Sequence, residues 1–147
     1  MKQFFCLLLA AVGCTPLTFS NQPAIDFDRY HSVYVSVSLP GGYSGYDSDY
    51  LASEMSRDSG FALVTTSPAV TTDLRVEVDA MVNEKQTCDS DGACDTEYLG
   101  TGRFRAIDRQ GRTILLGTEE DTSRTPAEAL SDVLDQVDLR FFRPYRL

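Results

Sequence analysis

From Val33 to Leu39 apolar and polar residues alternate one by one, with Val33, Val35, Val37 and Leu39 on one side and Tyr34, Ser36 and Ser38 on the other. A period of two is that of a strand with one buried face, and Pro40-Gly41-Gly42 ends it. The glycine-rich piece Gly41 to Gly45 lacks the lysine and the spacing of a phosphate loop and reads as a turn. The period then changes. Tyr50, Leu51, Met55 and Ala52 share one side of a predicted helix that opens at Asp47 or Ser48 and stops at Gly60. Phe61-Ala62-Leu63-Val64-Thr65 follows as a short strand, and Pro68 breaks the chain.

The stretch from Asp73 to Asp108 predicts a long hairpin. If Cys88 faces Cys94, the same antiparallel register sets Lys85 against Glu97, Asp79 against Arg103 and Glu77 against Arg105. It also sets Val78 against Phe104, Val76 against Ala106 and Ala80 against Gly102, so one face is apolar and the other charged. A slip of one residue would destroy both patterns. Arg109-Gln110-Gly111 is a three-residue connection with glycine third, the pattern of a type I turn with a bulge. Continued through that turn, the register places Leu116 opposite Phe104 and Ile114 opposite Ala106, and Glu119-Glu120-Asp121 in a solvated loop.

Thr125-Pro126-Ala127-Glu128 is a helix start: a capping threonine, proline at the first helical position and glutamate closing a capping box. Ala127, Leu130, Val133, Leu134, Val137 and Phe141 follow at helical spacing and predict an inward stripe. The element order β-α-β-β-β-β-α is that of an α+β two-layer sandwich, a mainly antiparallel sheet of about five strands with two helices on one face.

Composition narrows the function. A chain of 147 residues with 42% hydrophobic content supports one domain with a core. A formal charge of −9 argues against nucleic acid as a partner and against broad contact with anionic lipid. Met1-Lys2-Gln3 is a short positive start before the apolar run from Phe4 to Gly13, which has the length of a signal-peptide core and falls short of the roughly 20 residues of a membrane span. The run ends in Ala11-Val12-Gly13-Cys14, which resembles the lipobox of bacterial lipoproteins. The resemblance implies that residues 1–13 are removed and that Cys14 is acylated. With Thr15 next, it also implies placement at the periplasmic face of the outer membrane. Residues 14–25 read as a tether, whose polar, proline-bearing piece from Cys14 to Ala24 reaches on the order of 35 Å at most over its ten links, and residues 26–147 as the single domain.

The cysteines then divide. Cys6 leaves with the leader, Cys14 carries lipid, and Cys88 and Cys94 remain as an even pair, which in an exported chain reads as a disulfide. Asp89, Asp91 and Asp95 at the hairpin tip do not fit a calcium loop, because alignment on Gly92 puts Thr87 and Tyr98 where acids belong. No metal or cofactor is expected. The only histidine, His31, stands beside a strand start, no cysteine nucleophile is left, and no carboxylate pair stands out as acid and base. The chain therefore reads as a non-enzyme.

Arg140, Phe142, Arg143 and Tyr145 are the candidate partner-binding residues, since arginine with aromatics is the composition of interface hot spots. The other reading has the aromatics plugging the core and the arginines complementing the last helix. In outline the domain resembles small periplasmic lipoproteins of unknown function, through Asp26-Phe27-x-x-Tyr30, Asp73-Leu74-x-Val76 and Asp108-x-x-Gly111. The expected function is a non-catalytic binding or accessory module of a cell-envelope complex, with a protein partner and homo-oligomerisation left open. The alternative is a small envelope hydrolase or ligand-binding enzyme that uses carboxylates.

Overall fold

The computed structural model of the chain describes residues 25–142. A short 3₁₀ turn, Phe27–Arg29, leads into β1 (Ser32–Leu39), β2 (Gly42–Ser44), α1 (Gly45–Asp58), β3 (Leu63–Thr65), β4 (Leu74–Cys88), β5 (Cys94–Asp108), β6 (Thr113–Ser123) and α2 (Pro126–Val137), and a π turn, Asp138–Phe142, closes the described chain. The six strands form one sheet in the order β2-β1-β4-β5-β6, and β3 also pairs with β1. β1 runs parallel to β3 and β4, while the other three pairings are antiparallel. The Gly41–Gly45 segment is thus more than a turn. Gly41 and Gly42 take positive φ, and the chain folds back as β2 against the end of β1.

The two valine rows explain the layering. Val35 sits beside Val76 and Val37 beside Val78, and across β4 these face Ala106 and Phe104. All six are buried, together with Leu51 and Met55 of α1 and Val133, Leu134 and Val137 of α2. Each of these valine, leucine, methionine and phenylalanine side chains contributes about 1.5–3 kcal/mol by leaving water. Both helices therefore cover one face, and Arg75, Glu77, Asp79, Arg103 and Arg105 lie on the other.

Helix α1 begins earlier than its apolar spacing predicts. Ser44 is the N-cap and accepts from the Asp47 amide. The buried Ser48 hydroxyl accepts from the Val37 amide at 2.9 Å and donates to the Ser44 carbonyl at 2.5 Å, which joins helix to strand. Helix α2 starts as predicted, with the Thr125 side chain accepting from the Glu128 amide. Its inner face carries Ala129 rather than Ala127, which is exposed. The cause lies in β5: a Cβ on Gly100 would stand 2.4 Å from the Ala129 carbonyl oxygen, and one on Gly102 would stand 2.5 Å from Val133 Cγ1. The helix backbone rests directly on Gly100, and the Val133 side chain packs onto Gly102.

The β4–β5 register is the one the residue pattern predicts, from Glu77 opposite Arg105 to Cys88 opposite Cys94. The β5–β6 register is not. Beside the turn Ile107 faces Thr113, but the next pair is Ala106 with Leu115, so Ile114 is an extra residue in a bulge. Phe104 consequently faces Gly117. One inserted residue reverses the facing of the strand: Leu115 is 3% exposed, whereas Leu116 is 63% exposed. Strand β6 also runs on through Glu119, Glu120 and Asp121, and the same reversal buries Glu119.

Candidate functional site

Strands β1 and β4 begin, and β5 ends, at one end of the sheet, where the 109–111 turn also lies. Two aspartates organise that end. Asp73, just before β4, accepts with Oδ2 from the amides of His31 at 2.9 Å and Ser32 at 3.1 Å, and from the Ser32 hydroxyl. Its Oδ1 pairs with Arg109 at 2.8 Å. The His31 amide foremost, with the Ser32 donors and Arg109, holds the Asp73 carboxyl below the usual carboxylate range against the opposing effect of burial. His31 itself is exposed and enters this site through its backbone.

Asp108 does the same for the turn. Its Oδ1 accepts from the amides of Gln110 and Arg112, each at 2.9 Å, and its Oδ2 accepts from Arg112 Nε at 2.7 Å. Gly111 takes a φ of 78°, and its amide donates to the Asp108 carbonyl, as a three-residue turn requires. Burial works to raise the Asp108 carboxyl, but the Arg112 side chain and the turn amides outweigh it and hold it low.

These contacts shape a cleft of about 220 Å³ lined by Arg29, Tyr30, Asp73, Arg109, Gln110 and Arg112. A second groove of about 260 Å³ adjoins it along Thr72, Arg75 and Ile107. Both carboxylates are surrounded by donors and ionised at neutral pH, so neither is poised as a general acid. The sequence marked this end without identifying it as a site. Asp73-Leu74-x-Val76, Asp108-x-x-Gly111 and Asp26-Phe27-x-x-Tyr30 are distant in the chain, yet Tyr30 and Asp73 line the cleft, Asp108 and Gly111 build its turn and Phe27 anchors it in the core.

Of the three charge pairs on the hairpin, one forms. Glu77 pairs with Arg105 at 2.5 Å and also with Arg75 at 2.8 Å. Asp79 and Arg103, and Lys85 and Glu97, are opposed in register but make no ion pair. Such exposed pairs contribute little to stability, so long side chains are not compelled to meet.

At the far end Cys88 and Cys94 form a disulfide, with Cα atoms 4.0 Å apart. Asp89 Oδ1 accepts from the amides of Asp91 at 3.0 Å and Ala93 at 2.9 Å, so this acid builds the turn. From residue 83 to residue 97 every position is exposed, and β6 pairs no further along β5 than Tyr98. The hairpin therefore projects past both helices and the third strand as a bare two-stranded ribbon.

The C-terminal candidates divide. Phe142 is 1% exposed and belongs to the core, so it is not available as an interface residue. The π turn after α2 swings it inward against Phe27. Arg140 remains at the surface and pairs with the buried Glu119 at 3.3 Å. Arg143, Tyr145, Cys14, the leader 1–13 and residues 14–24 of the tether lie outside the described residues.

No protein-family model matches the chain, and no curated protein matches its sequence. Solved structures match its fold. PelC from Paraburkholderia phytofirmans, solved as a dodecamer, is 18% identical, and the alignment covers 81% of this chain and 91% of that one at a TM-score of 0.52. A hypothetical protein from Chlamydia trachomatis is 12% identical, with 74% and 93% of the two chains covered and a TM-score of 0.51. A minor lipoprotein from Acinetobacter baumannii is 15% identical over 78% of this chain and 91% of that one, with a TM-score of 0.45. What the chain shares with PelC and the Chlamydia protein is its fold, and a shared fold does not carry an activity across.

Proposed function

We propose that this protein is a lipid-anchored, non-catalytic module of the bacterial cell envelope, held at the periplasmic face of the outer membrane through Cys14, that works by docking onto a protein partner. The observation that carries the docking half is the bare ribbon. Six residues of β4 beyond Val82 extend roughly 20 Å at about 3.3 Å each, with both faces exposed. An unsupported two-stranded ribbon is marginal in water, and this one contributes nothing to the core. It presents free strand edges and an acidic surface, with Glu84, Asp89, Asp91, Asp95 and Glu97 against a single Lys85. A basic surface on the partner would complement it.

The dodecamer of PelC supports an assembly in which the partner is a second copy of the chain. The committed carboxylates of the cleft support a binding role over a hydrolytic one. The anchor half rests on the lipobox-like Ala11-Val12-Gly13-Cys14.

Photocrosslinkers placed at Thr87 and Asp95 in intact cells test the docking role. The expected result is one stoichiometric crosslinked species, either an envelope protein or a dimer of this chain. Absence of crosslinks from both positions, with crosslinks found only around the cleft, overturns the ribbon as the docking element. Labelled fatty acid tests the anchor: it should enter the wild-type chain and not Cys14→Ser. Leader removal without labelling excludes the lipid.

A further inference from the structure

The ribbon and the chain entry lie at opposite ends of the sheet. Ile25 stands four residues before Arg29, and Arg29 lines the cleft at the base. The cleft therefore shares its end of the sheet with the point where the described chain begins, and the acidic ribbon lies at the other end.

The cleft is a local exception in an acidic chain. Arg29 makes no ion pair among the described residues. Arg109 directs Nε to the Thr72 carbonyl at 3.3 Å and one terminal nitrogen to Asp73. Arg112 directs Nε and one terminal nitrogen to Asp108, leaving its other terminal nitrogen, like that of Arg109, for a ligand. A guanidinium has five donors in a rigid plane suited to phosphate, and these two are oriented by carboxylates while remaining 57% and 72% exposed. Three arginines against Asp73 and Asp108 leave one positive charge, in a chain whose formal charge is −9. The cleft, about 220 Å³, is open to solvent on the face where these arginines converge.

We infer that Arg29, Arg109 and Arg112 bind the phosphate of an anionic lipid headgroup in the membrane that holds the chain. The inference depends on the anchoring proposed above for the source of the phosphate, and on the cleft for its chemistry. It does not require the protein to lie flat on lipid, which the net charge opposes. Repulsion from the distant acidic ribbon is screened beyond about 8–10 Å at ordinary ionic strength.

The test uses residues 14–147 carrying Cys14→Ser, so that neither an acyl group nor the apolar run from Phe4 to Gly13 contributes, and follows flotation with vesicles of phosphatidylglycerol or of phosphatidylcholine. Flotation should favour phosphatidylglycerol, and Arg29→Gln should weaken it about fivefold, the contribution of one arginine near an anionic surface. Arg29→Lys should keep most of the binding. Because Arg29 makes no ion pair among the described residues, its replacement should leave the fold intact, which circular dichroism checks. Inorganic phosphate should shift the amide resonances of Gln110 and Arg112 and compete with the vesicles. Equal flotation with both lipids, or flotation indifferent to Arg29→Gln and Arg112→Gln together, overturns the inference. A response to inorganic phosphate without preference for phosphatidylglycerol overturns the headgroup assignment. Failure of Cys14 to take up fatty acid, with the lipid preference intact, counts against the anchor and not against the cleft.

Discussion

The ring of Phe142 meets that of Phe27 edge-on, with centroids 5.8 Å apart and planes at 66°. The contact joins the first and last turns of the described chain inside the core. Phe142→Ala should therefore cost about 3–5 kcal/mol, the range for an aromatic removed from a packed interior. Urea unfolding measures it. A loss under about 0.5 kcal/mol would mean that the last turn leaves the core in solution and that its aromatics face a partner after all.

Gly100 supports α2 by having no side chain. A Cβ there would stand 2.4 Å from the Ala129 carbonyl oxygen, a backbone atom that cannot turn aside. Gly100→Ala should destabilise the domain by about 1–3 kcal/mol through overpacking, although alanine is the better residue by intrinsic propensity. A stabilised variant in thermal unfolding would show that the helix sits further from β5.

Asp73 makes stability depend on pH in a known direction. Its carboxyl is held low in the folded state, chiefly by the His31 amide. Stability from this group is therefore complete above the unfolded value, near pH 4, and is lost as pH falls through the folded value. Asp73→Asn should cost about 2 kcal/mol at pH 7, and the gap to the wild type should close in the acid range. Unfolding midpoints measured from pH 7 down to 2 test this, and a gap that stays constant refutes the linkage.

The disulfide acts on the ribbon and not on the core. Its loop is short, with a sequence separation of 6, so replacing both cysteines by serine should cost about 2 kcal/mol or less. Hydrogen exchange should quicken between residues 84 and 97 while the amides of Val76 and Val78 stay protected. Global unfolding of the variant would assign the ribbon a role in the core that its exposure does not show.

Arg140→Ala should cost about 1–2 kcal/mol, because it leaves the buried Glu119 carboxylate without its cation. Glu119→Gln in the same background should recover part of that loss, since it removes the unpaired charge. A double-mutant cycle in urea reads the coupling. A cycle that shows none would mean that the pair contributes nothing beyond its two separate side chains.

The β4–β5 register was legible in the residues because two independent patterns, charge on odd positions and apolar groups on even ones, agree on one alignment, and alternation depends only on neighbours along a strand. The same holds for the start of α2, where Thr125, Pro126 and Glu128 act within one turn. The facing of β6 was not legible. Ile114 is an ordinary strand residue, and nothing in its type marks it as the residue the pairing of β5 with β6 leaves out. The inner face of α2 passed to Ala129 because Gly100, about thirty residues earlier, leaves room for the helix backbone and Gly102 for the Val133 side chain, and no periodicity within the helix reports that space. Phe142 entered the core because the helix loosens into a π turn at Asp138 and turns the ring toward Phe27. The cleft draws Arg29, Asp73 and Arg112 from three separate segments. Each segment carries its own local signal, but convergence is decided by strand order, since only the pairing of β1 with β4 and of β4 with β5 brings those three ends together.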